Sequence, residues 1–239
     1  MIIVKENFTD FDSIKKNWHW KPPWGEGDHK KGLYSEYRNM KIIEGEGLVM
    51  MATQMPQSSS NFLMPRLFWK GAPMGYGKYT AFMKVQKCRA VGTFVLYTNA
   101  HYRQGVRTIL PEIDIAEYGL KNNPTVLNVA VHRRARNPAF VNDPRYLDYK
   151  DRHELDYLWH PHKSKQFPWP DKPRWVEHSC EVTPKKIDIL IDGKKVFTDW
   201  NILGHFTDSF NPTFGQPIPD WIREPLPAPM FIKNFTYEY

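Results

Sequence analysis

The chain has 239 residues, 41% of them hydrophobic and 15% aromatic, with a formal net charge of +7. This hydrophobic content excludes a disordered chain, and the charge favours anionic partners such as nucleic acid, anionic lipid or an acidic polysaccharide. No apolar run approaches the ~20 residues of a membrane-spanning helix, so no membrane partner is expected. The start, MIIVKENFTDFDS, lacks the pattern of a secretory signal. We expect an extracellular, periplasmic or cell-surface protein if a signal has been removed, and otherwise a cytoplasmic or phage-encoded one.

Short apolar or alternating runs separated by turn residues predict many β-strands and almost no helix. In chain order the runs are 41–53, 78–87, 92–98, 125–132, 186–198 and 230–239. The Asp192-Gly193 pair inside ILIDGKKVF predicts a tight hairpin. Many short strands are typical of a sandwich or barrel. Residues 133–174 are polar and interrupted by prolines, which predicts a long loop excursion from the sheets.

The segment PEIDIAEYG contains three carboxylates, Glu112, Asp114 and Glu117. In a regular strand, alternation places Glu112 and Asp114 on one face and Glu117 on the isoleucine face, where an unpaired charge is costly to bury. A β-bulge near Ile115–Ala116 would add one residue and return Glu117 to the face of the other two acids.

A helix is the alternative for this segment. Pro111 suits the first helical position, and acids in the first turn suit the helix dipole. Gly119 would cut such a helix short, and the neighbouring segments are strand-like, which favours the bulged strand. A surface strand with three solvated acids is the remaining alternative.

Three carboxyl groups on one face would repel each other unless they share protons. Like charges at short range raise one pKa, which leaves a carboxylate beside a carboxylic acid at neutral pH. Retaining glycoside hydrolysis requires such a pair, a nucleophile and an acid/base about 5–5.5 Å apart. Neighbours on one face of a strand are expected to span roughly that distance.

The hexapeptide from Glu112 to Glu117 resembles the bulged E-x-D-x-x-E signature of glycoside hydrolase family sixteen, which includes laminarinases, agarases, porphyranases and κ-carrageenases. YGKYTAFMKV (76–85) resembles the family's YGxFExRxK strand, and RWVEHSCEVTPKKIDILIDGKKV (174–196) resembles its EWTPxxIxxYVDG stretch. The opening FTDFDSIKKNW and the closing MFIKNFTYEY resemble the family's first and last strands. The resemblance covers essentially the whole chain.

This resemblance implies one domain over residues 1–239, an all-β jelly-roll sandwich of two antiparallel sheets (the concanavalin A-like lectin/glucanase fold) with a sugar-binding cleft. By motif position, Glu112 would be the nucleophile, Glu117 the general acid/base, and Asp114 the residue that steers the charge of the nucleophile. Catalysis would need no cofactor and no metal. Some relatives hold a structural Ca²⁺ on the outer face, although the sequence has no signature for one.

The family's WPxxW stretch, which often supplies sugar-stacking tryptophans, is absent, and Phe94 or Tyr97 stands near its place. We therefore predict a substrate-binding set that combines aromatic residues, a subsite histidine and arginines flanking the acidic strand. Its members are Trp69, Tyr97, Arg103, Arg107, His132, Arg133 and Trp175. Structural roles are the alternative for each of them.

The distribution of charge bears on the substrate. Residues 84–107 hold five Lys/Arg and no acid, and residues 132–174 hold ten Lys/Arg against six Asp/Glu. Basic segments around an acidic centre favour an anionic, sulfated galactan as the substrate of an endo-acting hydrolase, with a neutral β-1,3-glucan as the alternative. A non-catalytic glycan-binding or virion module is a further hypothesis. No nucleic-acid motif is recognised, and a monomer is expected.

Overall fold

A computed structural model of the protein describes residues 1–21, 32–55, 62–86, 91–98, 112–120, 123–132, 162–169, 172–200, 209–217 and 229–239. Within these ranges, two large antiparallel sheets pack against each other, and a small third sheet lies beside them. The predicted β-sandwich is therefore confirmed. Each of the six runs identified in the sequence contains at least one strand.

The strands and the one helix of the described ranges are, in chain order, β1 Ile2–Glu6, α1 Phe11–Asn17, β2 Trp18–His19, β3 Gly32–Tyr34, β4 Met40–Ile43, β5 Gly47–Met50, β6 Thr53–Gln54, β7 Phe62–Met64, β8 Arg66–Trp69, β9 Gly77–Val85, β10 Gly92–Thr98, β11 Glu112–Leu120, β12 Asn123–His132, β13 His162–Pro168, β14 Val176–Val182, β15 Ile187–Ile191, β16 Lys194–Asp199, β17 Phe210–Gly215 and β18 Met230–Glu238. The first sheet has the order β16-β15-β14-β9-β18-β5-β4, with β1 also paired to β18. The second sheet has the order β13-β12-β11-β10-β17-β8-β2, and the third β3-β7-β6.

Aromatic side chains from both sheets form the centre of the core. Phe94 stacks on Phe214 within the second sheet at a centroid distance of 4.6 Å. Trp18, also from the second sheet, lies edge-on to Phe235 of the first sheet at 5.8 Å. All four are fully buried, and rings of this size account for much of the apolar area that folding removes from water. Their burial defines which face of each sheet points inward.

The N-terminal segment differs from its prediction. FTDFDSIKKNW was expected to resemble a first strand, but residues Phe11–Asn17 form a helix and the first strand is Ile2–Glu6. Asp10 caps this helix by accepting a 2.7 Å hydrogen bond from the backbone N–H of Ser13, which satisfies a donor that the first turn leaves open. Ile14 buries its side chain in the core, so capping and one apolar contact override the strand-like context.

The predicted hairpin at Asp192-Gly193 is confirmed. It joins β15 to β16, and both turn residues have positive φ, +51° for Asp192 and +72° for Gly193. Asp and Gly tolerate this left-handed conformation, which matches the twist of a two-residue hairpin.

The long excursion at 133–174 is partly corrected. Residues His162–Pro168 form β13, which pairs along β12 at the edge of the second sheet. Three exposed polar residues, Ser164, Lys165 and Gln166, occupy its middle. An edge strand with so few apolar residues gives little hydrophobic signal, which is why the sequence indicated a loop. Residues 133–161 lie outside the described ranges.

Candidate active site

The acidic segment is a strand with a bulge, as the bulged-strand interpretation of the sequence predicted. Along β12, Ala130 and Asn128 are two residues apart, yet they pair with Asp114 and Glu117, which are three apart. The pairing with β10 shifts at the same place, between Phe94 and Val95. One extra residue therefore lies between Asp114 and Glu117, and the helical alternative is wrong.

The bulge sorts the side chains of β11 by chemistry. The apolar residues that belong to the core cluster are Ile113, Ile115, Ala116 and Tyr118. Glu112, Asp114 and Glu117 take the opposite face, because strand alternation resumes in phase with them after the bulge. We call this face of the second sheet, which points away from the core, the site face.

Strand register arranges the site face in three rows across the sheet. The first row is Asn211, Tyr97, Glu112 and His132. The second is His19, Phe68, Thr213, Val95, Asp114 and Ala130. The third is Arg66, Gly215, Thr93, Glu117 and Asn128. Each acid thus has its own set of neighbours, with Asp114 in the middle row.

Asp114 connects the nucleophile candidate to a histidine. Its side chain is almost fully buried, and its Oδ2 lies 2.7 Å from Nε2 of His132. A carboxylate only accepts hydrogen bonds, so Nε2 of His132 carries the donated hydrogen. The charge of Asp114 also acts on Glu112, whose pKa it raises. The other oxygen of Asp114, Oδ1, is buried without a hydrogen-bond partner among the described residues.

Burial raises the pKa of each acid above its ordinary value. For Glu112 the negative charge of Asp114 adds to the effect of burial, and for Asp114 the charge of Glu117 does. Burial also raises the pKa of Glu117, opposed by a hydrogen bond from Asn128 and by the charge of His132. Asn128 donates that bond from Nδ2 to Oε2 of Glu117 over 3.0 Å. The site face therefore holds protonated carboxyl groups at a higher pH than exposed glutamates would.

The separation of Glu112 and Glu117 differs from the simple expectation for neighbours on a strand. With the bulge their backbone positions are four strand steps apart, about 13 Å. The two carboxyl groups still act on each other electrostatically, because the charge of Glu117 helps to raise the pKa of Glu112.

Tyr97 lies on the site face, as predicted, directly opposite Glu112 on the neighbouring strand. Its hydroxyl accepts a 3.1 Å hydrogen bond from Nη2 of Arg66, whose guanidinium lies 4.9 Å from the centre of the Phe68 ring. Phe94, the other aromatic candidate, belongs to the core instead. Arg66 was missed in the sequence, although an arginine inside the apolar run FLMPRLFW is an available signal.

Two predicted sugar-binding tryptophans lie elsewhere. Trp69 packs edge-on against buried Trp18 at a centroid distance of 5.1 Å, so alternation along β8 directs it to the core side and not to the site face. Trp175 precedes β14 of the first sheet, where Lys84 lies 4.9 Å from its ring centre and Phe231 packs edge-on to it. Neither contacts the acidic residues. A tryptophan's place in a motif did not reveal which sheet face it would join.

Arg103, Arg107 and Arg133 fall outside the described residues, so their predicted contacts with substrate stay predictions. Within the described ranges, no group of three or more His, Cys, Asp or Glu side chains is arranged to hold a metal ion. No helix in those ranges has the length and apolar character to cross a bilayer. Cys180 is buried in the core, and Cys88 is not among the described residues.

The fold is shared with solved structures of β-glucanases. A laminarinase from Flavobacterium sp. UMI-01 superposes with a TM-score of 0.71 and 16% identity, over 100% of both chains. A family GH16 protein from Bacteroides ovatus in complex with a G4G4G3G product gives 0.71 and 16%, over 99% of this chain and 100% of that one. A LamA variant from Z. galactanivorans in complex with laminaritriose and laminaritetraose gives 0.70 and 13%, over 100% and 99%.

This chain has the fold of these proteins. The predicted jelly-roll architecture is thereby confirmed, in agreement with the resemblance carried by the E-x-D-x-x-E segment. No protein-family model and no curated protein matches the sequence itself.

Proposed function

We propose that the protein is an endo-acting, retaining glycoside hydrolase of the family sixteen type, which cleaves β-linkages in a polysaccharide. One observation carries this proposal: a bulge in β11 brings Glu112, Asp114 and Glu117 onto one face. A strand without a function would have no need for a buried Asp114 between two half-buried glutamates, because a buried carboxyl group costs free energy when charged.

The proposed reaction has two steps. In the first, the carboxylate of Glu112 attacks the anomeric carbon, while the carboxylic acid of Glu117 gives its proton to the departing glycosidic oxygen. In the second, the carboxylate of Glu117 takes a proton from a water molecule, which attacks the same carbon and releases Glu112. Asp114, held by its 2.7 Å hydrogen bond to His132, lies between the two glutamates and steers the charge of the nucleophile.

The electrostatics of the site face support these roles. The raised pKa of Glu117 favours its protonated form, which a general acid needs. Glu112 must be ionised to attack, next to the carboxyl group of Asp114, and the charge of His132 favours that ionised form by lowering the pKa of Glu112. His132, 2.7 Å from Asp114, is placed to stabilise the negative charge that then remains on the pair.

Two observations bear on the substrate. The solved structures of similar fold include laminarinases and a GH16 protein with a mixed-linkage glucan product, which favours a neutral β-glucan. The net charge of +7 favours a sulfated galactan, since basic side chains pair well with oxyanions. We propose the sulfated polymer as the preferred substrate and the glucan as the alternative within the same reaction.

A panel of polysaccharides tests this function. The protein would be incubated with laminarin, lichenan, agarose, porphyran and carrageenans, and new reducing ends would be measured. We expect products from at least one polymer and the highest kcat/KM on an anionic one. Preference for laminarin would leave the reaction standing and refute the anionic substrate. Binding without cleavage of any polymer would support a glycan-binding module instead.

Variants at the acids test the mechanism on the substrate so found. Glu112→Gln and Glu117→Gln should each lower kcat by about 10³-fold or more, because each removes one half of the acid-assisted displacement. Asp114→Asn should lose less, because it orients and does not react. Glu238→Gln, on the outer face of the first sheet, is the matched control and should keep wild-type turnover. Near-normal rates for either glutamate variant would sink the assignment.

A further inference from the structure

We propose that Asn128 is a positioning residue for Glu117, whose side-chain amide hydrogen-bonds the Glu117 carboxyl group in both protonation states of the reaction. This inference rests on the proposed function, because only an acid/base residue must exist in both states during one turnover. Asn128 would act through Glu117 and would not itself touch the reacting atoms.

The contact is fixed by the backbone. Asn128 is the residue directly opposite Glu117 on β12, at the point where pairing resumes after the bulge. Its side chain is 4% exposed, and Nδ2 lies 3.0 Å from Oε2 of Glu117. The other end of the amide, Oδ1, is buried without a hydrogen-bond partner among the described residues. A buried acceptor left open is costly, so its presence beside an acid calls for a reason.

The two ends of an amide match the two states of a carboxyl group. Nδ2 can only donate and therefore suits the carboxylate of Glu117, whereas Oδ1 can only accept and suits the O–H of the carboxylic acid. The two ends are nearly equal in size, so rotation about the last side-chain torsion exchanges them in the same space. In the protonated state Oδ1 would accept the hydrogen bond from the Glu117 O–H. In the arrangement observed, Nδ2 faces Glu117 and Oδ1 is unpaired among the described residues.

The charged groups around Glu117 do not supply a hydrogen bond that suits both of its protonation states. On its own strand Glu112 and Asp114 repel its negative charge, and on β12 the imidazole of His132 contacts Asp114. Arg66 on β8 directs its guanidinium to Tyr97. The remaining register partners across the sheet, Thr93, Gly215 and Gln166, are uncharged.

Burial raises the pKa of Glu117, and the Asn128 hydrogen bond is the larger of the two effects that oppose it. Removing the amide should therefore leave Glu117 protonated to a higher pH. It should also impair the second step, in which the Glu117 carboxylate must take a proton from water.

The experiment compares Asn128→Ala and Asn128→Ser with wild type, and uses Asn234→Ala on the first sheet as the matched control. In Asn128→Ala, the alkaline limb of the kcat/KM profile should move upward by about one pH unit, and kcat should fall by about tenfold or more. Serine keeps a hydrogen-bond donor and an acceptor. Asn128→Ser should therefore show a smaller shift of the alkaline limb and a smaller loss of kcat than Asn128→Ala. Asn234→Ala should reproduce the wild-type profile.

A second measurement needs no substrate. Carboxyl ¹³C NMR of glutamate-labelled protein, with the Glu117 signal assigned from its absence in Glu117→Gln, should give a higher pKa for Glu117 in Asn128→Ala. If that pKa and the alkaline limb both stay unmoved, or if Asn128→Ala only lowers Tm, the inference is overturned while the proposed function stands. If wild type cleaves no glycan, the proposed function fails, and the NMR titration still decides whether Asn128 governs Glu117.

Discussion

At the scale of single residues, the acids of β11 oppose the stability of the fold that holds them. Burial raises the pKa of Glu112, and the charge of Asp114 raises it further. A carboxyl group with a raised pKa stabilises the folded state fully below its ordinary value of 4.5, and that stability is lost as pH rises through the folded pKa. The site is therefore costly at the pH where it would work.

The variant Glu112→Gln measures how much the charge of Glu112 lowers the stability of the fold. Glu112→Gln cannot become charged, so it should raise Tm by a few degrees at pH 8, and the difference from wild type should vanish near pH 4. Thermal unfolding followed by circular dichroism at both pH values provides the comparison, with Glu238→Gln on the outer face of the first sheet as the control. An equal effect of Glu112→Gln at pH 4 and pH 8 would mean that packing, and not charge, causes it.

The stereochemistry of hydrolysis also belongs to this scale. Glu112 and Glu117 lie on one face of β11, and the charge of Glu117 acts on Glu112, which favours a direct attack over one by a water held between them. We predict that the anomeric configuration is retained. Proton NMR of fresh hydrolysate from a β-linked substrate should show the β-anomer first, and an α-anomer appearing first would mean inversion.

At the scale of elements, the bulge in β11 determines which face of the strand the side chains after it join. Ile115 and Ala116 both face the core, and the bulge absorbs the extra residue between Asp114 and Glu117. Deletion of Ala116 would restore regular alternation. Glu117 would remain opposite Asn128 and on the site face.

We therefore predict that the Ala116 deletion folds and keeps measurable activity. The deletion loses one small core residue and the strong local twist of the bulge, so a fall in kcat of about tenfold to a hundredfold is expected. Reducing-end assays and circular dichroism test the outcome. A folded deletion variant as inactive as Glu117→Gln would mean that the bulge sets the carboxyl geometry itself and not only the phase.

The same element shows what sequence reasoning can predict. Three acids at spacings of two and three among isoleucines conflict with regular alternation, and the bulge resolves that conflict, so the phase of the strand predicted which face the acids share. Trp69 and Trp175 offered no such conflict, because an aromatic residue suits the core, the site face or the outer sheet equally well. Arg66 reaches Tyr97 across strands that are distant in the chain, and Asn128 lies opposite Glu117 only because the bulge sets the register of β11 on β12. Sequence spacing alone revealed neither pair.

At the scale of the whole molecule, a buried histidine lies where the two sheets meet beneath the site. His178 of the first sheet hydrogen-bonds the Tyr118 hydroxyl of β11 through Nε2 at 2.8 Å. Burial lowers the pKa of His178 from 6.5 to about 4. The unfolded chain therefore takes up a proton below pH 6.5 that the folded protein refuses until about pH 4, and stability falls across that window.

The expected loss between pH 6.5 and pH 4 is about 3 kcal/mol from this residue. In His178→Gln, which can still hydrogen-bond Tyr118, the free energy of unfolding should fall less across this window by about that amount. Urea unfolding at pH 7 and pH 4 measures it, with His19→Gln at the sheet edge as control. Parallel pH dependences for wild type and His178→Gln would contradict the assignment.

The net charge of +7 acts over the whole molecule and on its encounter with substrate. Exposed charges are screened over about 10 Å at 0.1 M salt, and electrostatic steering acts on association more than on chemistry. On an anionic galactan, kcat/KM should therefore fall about tenfold or more from low to above-physiological salt, with kcat unchanged. A neutral glucan should show no such dependence.

Arg133→Ala should reduce the salt dependence of kcat/KM if that residue lines the cleft. Arg174→Ala removes the same charge from the first sheet, where Arg174 pairs with Asp192, and should leave the effect intact. Equal blunting by both variants would assign the effect to net charge alone, and a salt-independent enzyme that prefers laminarin would refute the anionic substrate.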